Sequence, residues 1–192
     1  MTTRLRKRFK LPLSARLTHR HPHPSPRTNA IIYICMLLGA AVMASCSNID
    51  CPLSNSVSAK YIFYNSAGKA SVVLKDTLTV KAAGTDTVLF NRGVNLTEIN
   101  LPMSYRQSAD TLLFCISNTG ESRTDTVVIG HTNEAHFESI DCSPSMFHKI
   151  TSVTLRNGSG SEKVARIDSV ALNNPKVNYN VVENFKVYIT LP

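Results

Sequence analysis

Tryptophan is absent from this chain of 192 residues, and the first 45 residues hold no aspartate or glutamate. The first absence removes the strongest mark of a glycan-binding face, which stacks sugars on exposed aromatic rings. The second makes the formal charge of +8 a local property, because eight of the 21 basic residues lie in that acid-free segment. From Cys46 onward thirteen basic residues meet thirteen acidic ones. A basic chain ordinarily points to nucleic acid or anionic lipid, but a neutral body excludes nucleic acid as a partner.

No apolar run is long enough for a permanent membrane span. The longest, "AIIYICMLLGAAVMA" from Ala30 to Ala44, makes about 22 Å of helix at roughly 1.5 Å per residue, against a hydrocarbon core of about 30 Å. A basic segment, this apolar stretch and then small residues read as a secretory leader. Its proline-rich tract "HRHPHPSP" is not expected to be ordered, and His19, His21 and His23 leave with the leader rather than serve as a metal tract. The stretch "VMASC" that follows resembles the lipobox of bacterial lipoproteins, in which an aliphatic residue and two small ones precede a cysteine that is acylated and becomes the new N-terminus. Met43 stands where leucine is usual. On that resemblance Cys46 is a membrane tether, its acyl chains contributing about 0.8 kcal/mol per buried CH₂; ordinary cleavage after Ala44 is the alternative. Cys35 leaves with the leader. The organisation expected is a leader over residues 1–45, a short lipidated tether over 46–56 and one domain over 57–192.

A chain exported this way meets an envelope compartment where disulfides persist. Cys51, Cys115 and Cys142 remain, allowing three single-bridge pairings. Cys51 in "IDCPL" and Cys142 in "IDCSP" both follow Ile-Asp close to a proline, whereas Cys115 lies inside the apolar run "TLLFCI". The expected bridge is Cys51–Cys142, with Cys115 a small buried hydrophobe. No CxxC spacing supports a redox or metal pair.

No window of a dozen residues carries a helical stripe either, and a single helical turn near Ser145–His148 is the most the pattern allows. What recurs is an Asp, then a hydroxyl residue, then an aliphatic one, at Asp76-Thr77, Asp86-Thr87, Asp110-Thr111, Asp125-Thr126 and Asp168-Ser169. The spacing is irregular, which excludes a solenoid repeat. The phrase reads as strand-start chemistry, Asp favouring the preceding turn and β-branched residues the extended chain. Alternation marks strands in "KYIFYN", "SVVLK", "TLTVKA", "TVLFN", "DTLLFCIS", "TDTVVIG", "HFESI", "ITSVTL", "RIDSVAL" and "ENFKVYITL". The fold class expected is all-β, a single antiparallel β-sandwich of roughly ten strands, with a partial barrel as the alternative.

"DCPL", "YIFYN", "DTLTV", "LPMSY", "HTNEAHFESIDCSPSMFHKI" and "NPKVNYNVVENFKVYIT" together resemble an uncharacterised family, a domain of unknown function, of Bacteroidetes-type envelope lipoproteins. The resemblance covers nearly all of residues 46–192 and implies no activity. It implies a neighbouring outer-membrane β-barrel protein as a partner, and a lipid-anchored place in the outer membrane; the "SNID" after Cys46 holds one acid, short of the acidic cluster associated with surface export in that group, so the periplasmic face is expected. It also implies that Thr77, Thr87, Thr111, Thr126 and Ser169 fit the acceptor pattern of a general O-glycosylation system, with Thr87 and Thr126 the turn-proximal choices.

Two other classes stay open on the residues. An enzyme would draw on His131, His136, Glu134, Glu138 and Asp141 in "HTNEAHFESID", but His131 and His136, five apart, face opposite sides of an unbroken strand, and no HExxH is present. No catalytic residue, metal ligand or cofactor is assigned. Ser159 in "NGSGSE" reads as a flexible hairpin turn rather than a nucleophile elbow, and His148 as a structural histidine. A glycan-binding module would rest on Tyr64, Tyr105 and Tyr179 at an exposed edge, the remaining aromatics Tyr61, Phe63, Phe114, Phe185 and Tyr188 falling in strand patterns that suit a core. The reading favoured is a non-catalytic accessory lipoprotein docking on an envelope protein.

Overall fold

The computed structural model describes residues 27, 30, 31, 33–37, 51, 56–68, 70–85 and 87–192, in two compact units, Met1–Asn48 and Ile49–Pro192. In the first unit the described residues are helical and exposed. No helix among the described residues is long and apolar enough to cross a membrane. Cys46 lies outside the described residues.

The second unit is mostly β. Its strands are β1 (Ser58–Asn65), β2 (Thr77–Ala82), β3 (Val88–Gly93), β4 (Glu98–Pro102), β5 (Ala109–Ser117), β6 (Ser122–His136), β7 (Ser145–Arg156), β8 (Arg166–Leu172), β9 (Lys176–Val177) and β10 (Glu183–Thr190). Successive side chains on a strand point to opposite faces, so the period-2 pattern becomes burial. Ala59, Tyr61 and Phe63 of β1 turn inward, as do Leu112, Phe114 and Ile116 of β5 and Val127 and Ile129 of β6. One sheet has four strands in the order β4-β1-β10-β8, the other six in the order β3-β2-β5-β6-β7-β9. Their inward residues form one core. Tyr61 of the first sheet has its ring centroid 6.0 Å from Phe114 of the second, and stacks on Phe185 of the neighbouring strand at 4.6 Å.

Several expectations are corrected. The pairing is not antiparallel throughout, because β1 and β10 run parallel at the centre of their sheet. Ser145–His148 is no helical turn; it opens β7 and pairs with Asn133–His136, tertiary pairing overriding local preference. "SVVLK" contributes only isolated bridges, Tyr64 to Ser71 and Leu74 to Leu96, and "HFESI" leaves the sheet after His136. β4, which ends in proline, and the two-residue β9 carry little strand signal. Cys115 is half-buried on the face of β5 opposite the core-facing residues, with Thr124 Oγ1 3.6 Å from its sulfur.

The aspartates of the repeated phrase do more than start strands. Asp76 does stand just before β2, but Asp125 and Asp168 lie inside β6 and β8. Asp125, fully buried, accepts the backbone N–H groups of Gly158 at 2.9 Å and Ile167 at 3.2 Å, and faces the Arg123 Nε at 3.2 Å. "NGSGSE" is therefore not a free turn but a segment packed on β6. A Cβ on Gly158 would stand 1.4 Å from the carbonyl oxygen of Thr124, and Gly160 bridges to Arg123. On the other sheet a bulge between Lys60 and Tyr61 is filled by buried Asn184, which accepts the Lys60 N–H at 3.0 Å and donates to the carbonyls of Asn174 and Lys176.

Candidate functional site

The sequence expectations meet the structure in three places. The first is the bridge. Cys51 is joined to Cys142, with Cα atoms 5.6 Å apart and a sequence separation of 91. Cys142 belongs to the β6–β7 connection, so the bridge ties the chain ahead of β1 to the far end of the longest strand pair in the domain. Phe137 and Ile140 of the same connection are exposed. Beside them His136 stacks on Phe147 at 4.3 Å and shares a hydrogen bond with Glu138 at 3.1 Å, while Tyr179 meets Phe147 edge-on at 5.0 Å and hydrogen-bonds Ser145. His136, Phe147 and Tyr179 line a shallow cleft of about 250 Å³.

The second place is a buried polar cluster that includes the other expected histidine. Asn133 sits two residues after His131 on β6. Its Nδ2 donates to the carbonyls of Tyr105 and Gln107 at 3.0 and 2.9 Å, which fixes its Oδ1 as an acceptor. That oxygen lies 2.8 Å from Nδ1 of both His131 and His148. Both rings must therefore carry hydrogen on Nδ1. The two rings meet edge-on at 5.3 Å, and Tyr105 stacks over His148 at 6.2 Å. The Nε2 atoms of both are buried without a hydrogen-bond partner among the described residues. His131 Nε2 stands 3.2 Å from Asp110 Oδ2, close enough for an ionic contact but outside hydrogen-bond geometry. That oxygen accepts the Ser104 N–H at 3.0 Å. Burial, then the neighbouring His131, pushes His148 down to about 4, against the opposing charge of Asp110. The cluster binds the β4–β5 connection to β6 and β7. A cleft of about 270 Å³ opens beside it, lined by Thr85, Thr87, Leu89, Met103, Ser104 and Asp110 among others.

His131 and His136 thus belong to different clusters, and of the acids expected beside them only Glu138 contacts either ring among the described contacts. Glu138 joins His136, and His131 faces Asp110, which the local motif does not contain. Among the described residues no group of three or more His, Cys, Asp or Glu side chains is arranged to hold a metal ion. The signal for Asn133 was available as period-2 spacing from His131. Nothing local points to Asp110 or His148, which reach the cluster by strand pairing.

The third place is the set of hydroxyls. Thr87, just before β3, and Ser169 on β8 are exposed, whereas Thr77, Thr111 and Thr126 are half-buried. Thr126 is not near a turn: it lies within β6, between Leu113 of β5 and Arg156 of β7. The tyrosines considered for sugars also separate by contact. Tyr64 pairs with Tyr188 at 5.8 Å and bonds Glu183, while Tyr105 and Tyr179 belong to the histidine clusters above.

Residues 77–189, more than half of the chain, match the model of a family of unknown function (DUF6452). The chain belongs to this family. The DUF6452 match runs from β2 into β10 and so contains the Asn133 cluster, the Asp125 contacts and Cys142, while β1 and Cys51 lie ahead of it. No curated protein and no solved structure matches the chain.

Proposed function

We propose that this chain is a cell-envelope lipoprotein, acylated at Cys46 and held at the outer membrane facing the periplasm, whose β-sandwich is a non-catalytic docking partner of an outer-membrane protein. The observation that carries the reading is the Cys51–Cys142 bridge, since such bonds persist in oxidising compartments. It agrees with the leader and with the lipobox-like "VMASC". Two sheets contributing to one core favour a sandwich over a partial barrel. His131 and His148 are buried in a network that holds the β4–β5 connection against β6 and β7, a structural role that needs no catalysis.

The test is fractionation of the native host expressing either the wild-type chain or Cys46→Ala. The wild-type protein is expected in the outer-membrane fraction, shielded from added protease in intact cells, and the variant in the soluble or inner-membrane fractions. Equal distribution of the two would overturn the proposal.

A further inference from the structure

The β6–β7 connection exposes two large apolar side chains in a short span, Phe137 at 62% and Ile140 at 97%. Tyr179, held by Ser145 and Phe147, lies 6.1 Å from His136, the residue before Phe137, and is followed by exposed Val181 and Val182. Isolated exposed hydrophobes need no explanation, but a cluster of them marks a contact surface. The bridge says where this surface stands. Cys142 is two residues beyond Ile140 and is bonded to Cys51, and Cys51 is five positions after Cys46. Five residues extend at most about 18 Å, and a flexible stretch of that length averages about 12 Å. A domain anchored at Cys46 therefore keeps Phe137 and Ile140 within reach of the membrane.

We propose that Phe137 and Ile140, with Tyr179 beside them, dip into the lipid interface next to the acylated Cys46 and fix the orientation of the domain on the membrane. The inference rests on the lipoprotein reading. The loop also carries Glu138 and Asp141, and Glu134 lies at the end of β6, with Lys149 and Lys176 on the adjoining strands. The acids within the loop set the lipid class: a zwitterionic surface suits it, and an anionic one repels it.

The chain contains no tryptophan, so Phe137→Trp and Ile140→Trp each create a sole reporter at an exposed position. The acylated protein, purified from its host and verified by intact mass, is reconstituted into phosphatidylcholine vesicles with brominated acyl chains. Val94→Trp, exposed on the β3–β4 connection, is the control. The expected result is a blue shift and strong quenching at positions 137 and 140, none at 94, and weaker quenching when phosphatidylglycerol replaces part of the phosphatidylcholine. Acylated protein whose reporters at positions 137 and 140 stay unquenched overturns the inference and leaves the lipoprotein reading standing. If a photo-cross-linking amino acid placed at position 137 or 140 instead captures a protein in native membranes, the surface belongs to a protein partner and the lipid assignment is wrong. Protein that proves unacylated at Cys46 brings down both, and the mass distinguishes that failure from the others.

Discussion

The carboxylate of Asp125, buried in β6, accepts the backbone N–H of Ile167 on β8 at 3.2 Å. A side chain of the six-stranded sheet is thereby bonded to the main chain of the four-stranded one, with Arg123 and Gly158 completing its coordination. Removing it leaves two buried N–H groups without their acceptor and takes the carboxylate from the Nε side of Arg123, which keeps Glu162 and the Gly158 carbonyl. Asp125→Ala should therefore lose about 3–5 kcal/mol of stability, the usual cost of breaking one side of a buried pair. Urea unfolding reads this directly, and a loss under about 0.5 kcal/mol, the scale of an ordinary surface substitution, would show that the sheets are held together without it.

The disulfide makes a separate contribution. Closing a loop of about 90 residues is worth roughly 4.6 kcal/mol in the chain-entropy model, and native bridges of small secreted domains typically contribute about 2–5 kcal/mol. Cys51→Ser/Cys142→Ser should lower the denaturation midpoint accordingly and free the β6–β7 connection. Comparable protease sensitivity of that loop in the two forms would contradict the pinning role.

Acid should weaken the fold through His148. Its folded value is pushed down to about 4 by burial and by the neighbouring His131, while an unfolded histidine titrates near 6.5. Between those values the unfolded chain binds a proton that the folded chain does not. The stabilisation is thus complete above about pH 6.5 and is lost as pH falls toward 4, by on the order of 3 kcal/mol. His148→Gln should flatten this limb, measured as unfolding free energy against pH. An unchanged slope between about pH 6.5 and 5 would refute the assignment.

If the hydroxyl phrases are glycosylated, exposure ranks them. Sugar should be found at Thr87 or Ser169, and not at Thr126, which lies half-buried between two strands. Peptide mapping of host-purified protein decides it, and a glycan on Thr126 would mean that modification precedes folding.

The alternation in "KYIFYN", "TLLFCIS" and "FKVYIT" was enough to place the core, because a strand with one buried face writes its burial into every second residue. What alternation does not contain is direction or partner. Nothing between residues 58 and 65 indicates that β1 pairs in parallel with a strand that lies at the other end of the domain in sequence. The same limit explains the polar sites. Asn133 and His131 share a face by spacing alone, but His148 and Asp110 join them only through pairing and loop closure. The Asp-Thr phrases misled for a related reason: a turn-favouring residue inside a strand looks like a strand start until its distant hydrogen bonds are known. Asp125 and Asp168 are held in their strands by those bonds. Asp168 is a measure of their strength: burial would raise its carboxyl, yet hydrogen bonds from Ser66, Thr190 and Arg166 keep it below the ordinary range.

The anchor is the claim on which membrane placement, docking and loop insertion all depend, and intact mass of the chain purified from its host tests it most directly. The mature protein is expected to begin at Cys46 with acyl chains attached, to be two hydrogens heavier after reduction, and to map to a Cys51–Cys142 bridge. A chain beginning at Ser45, or one retaining its leader, would contradict it.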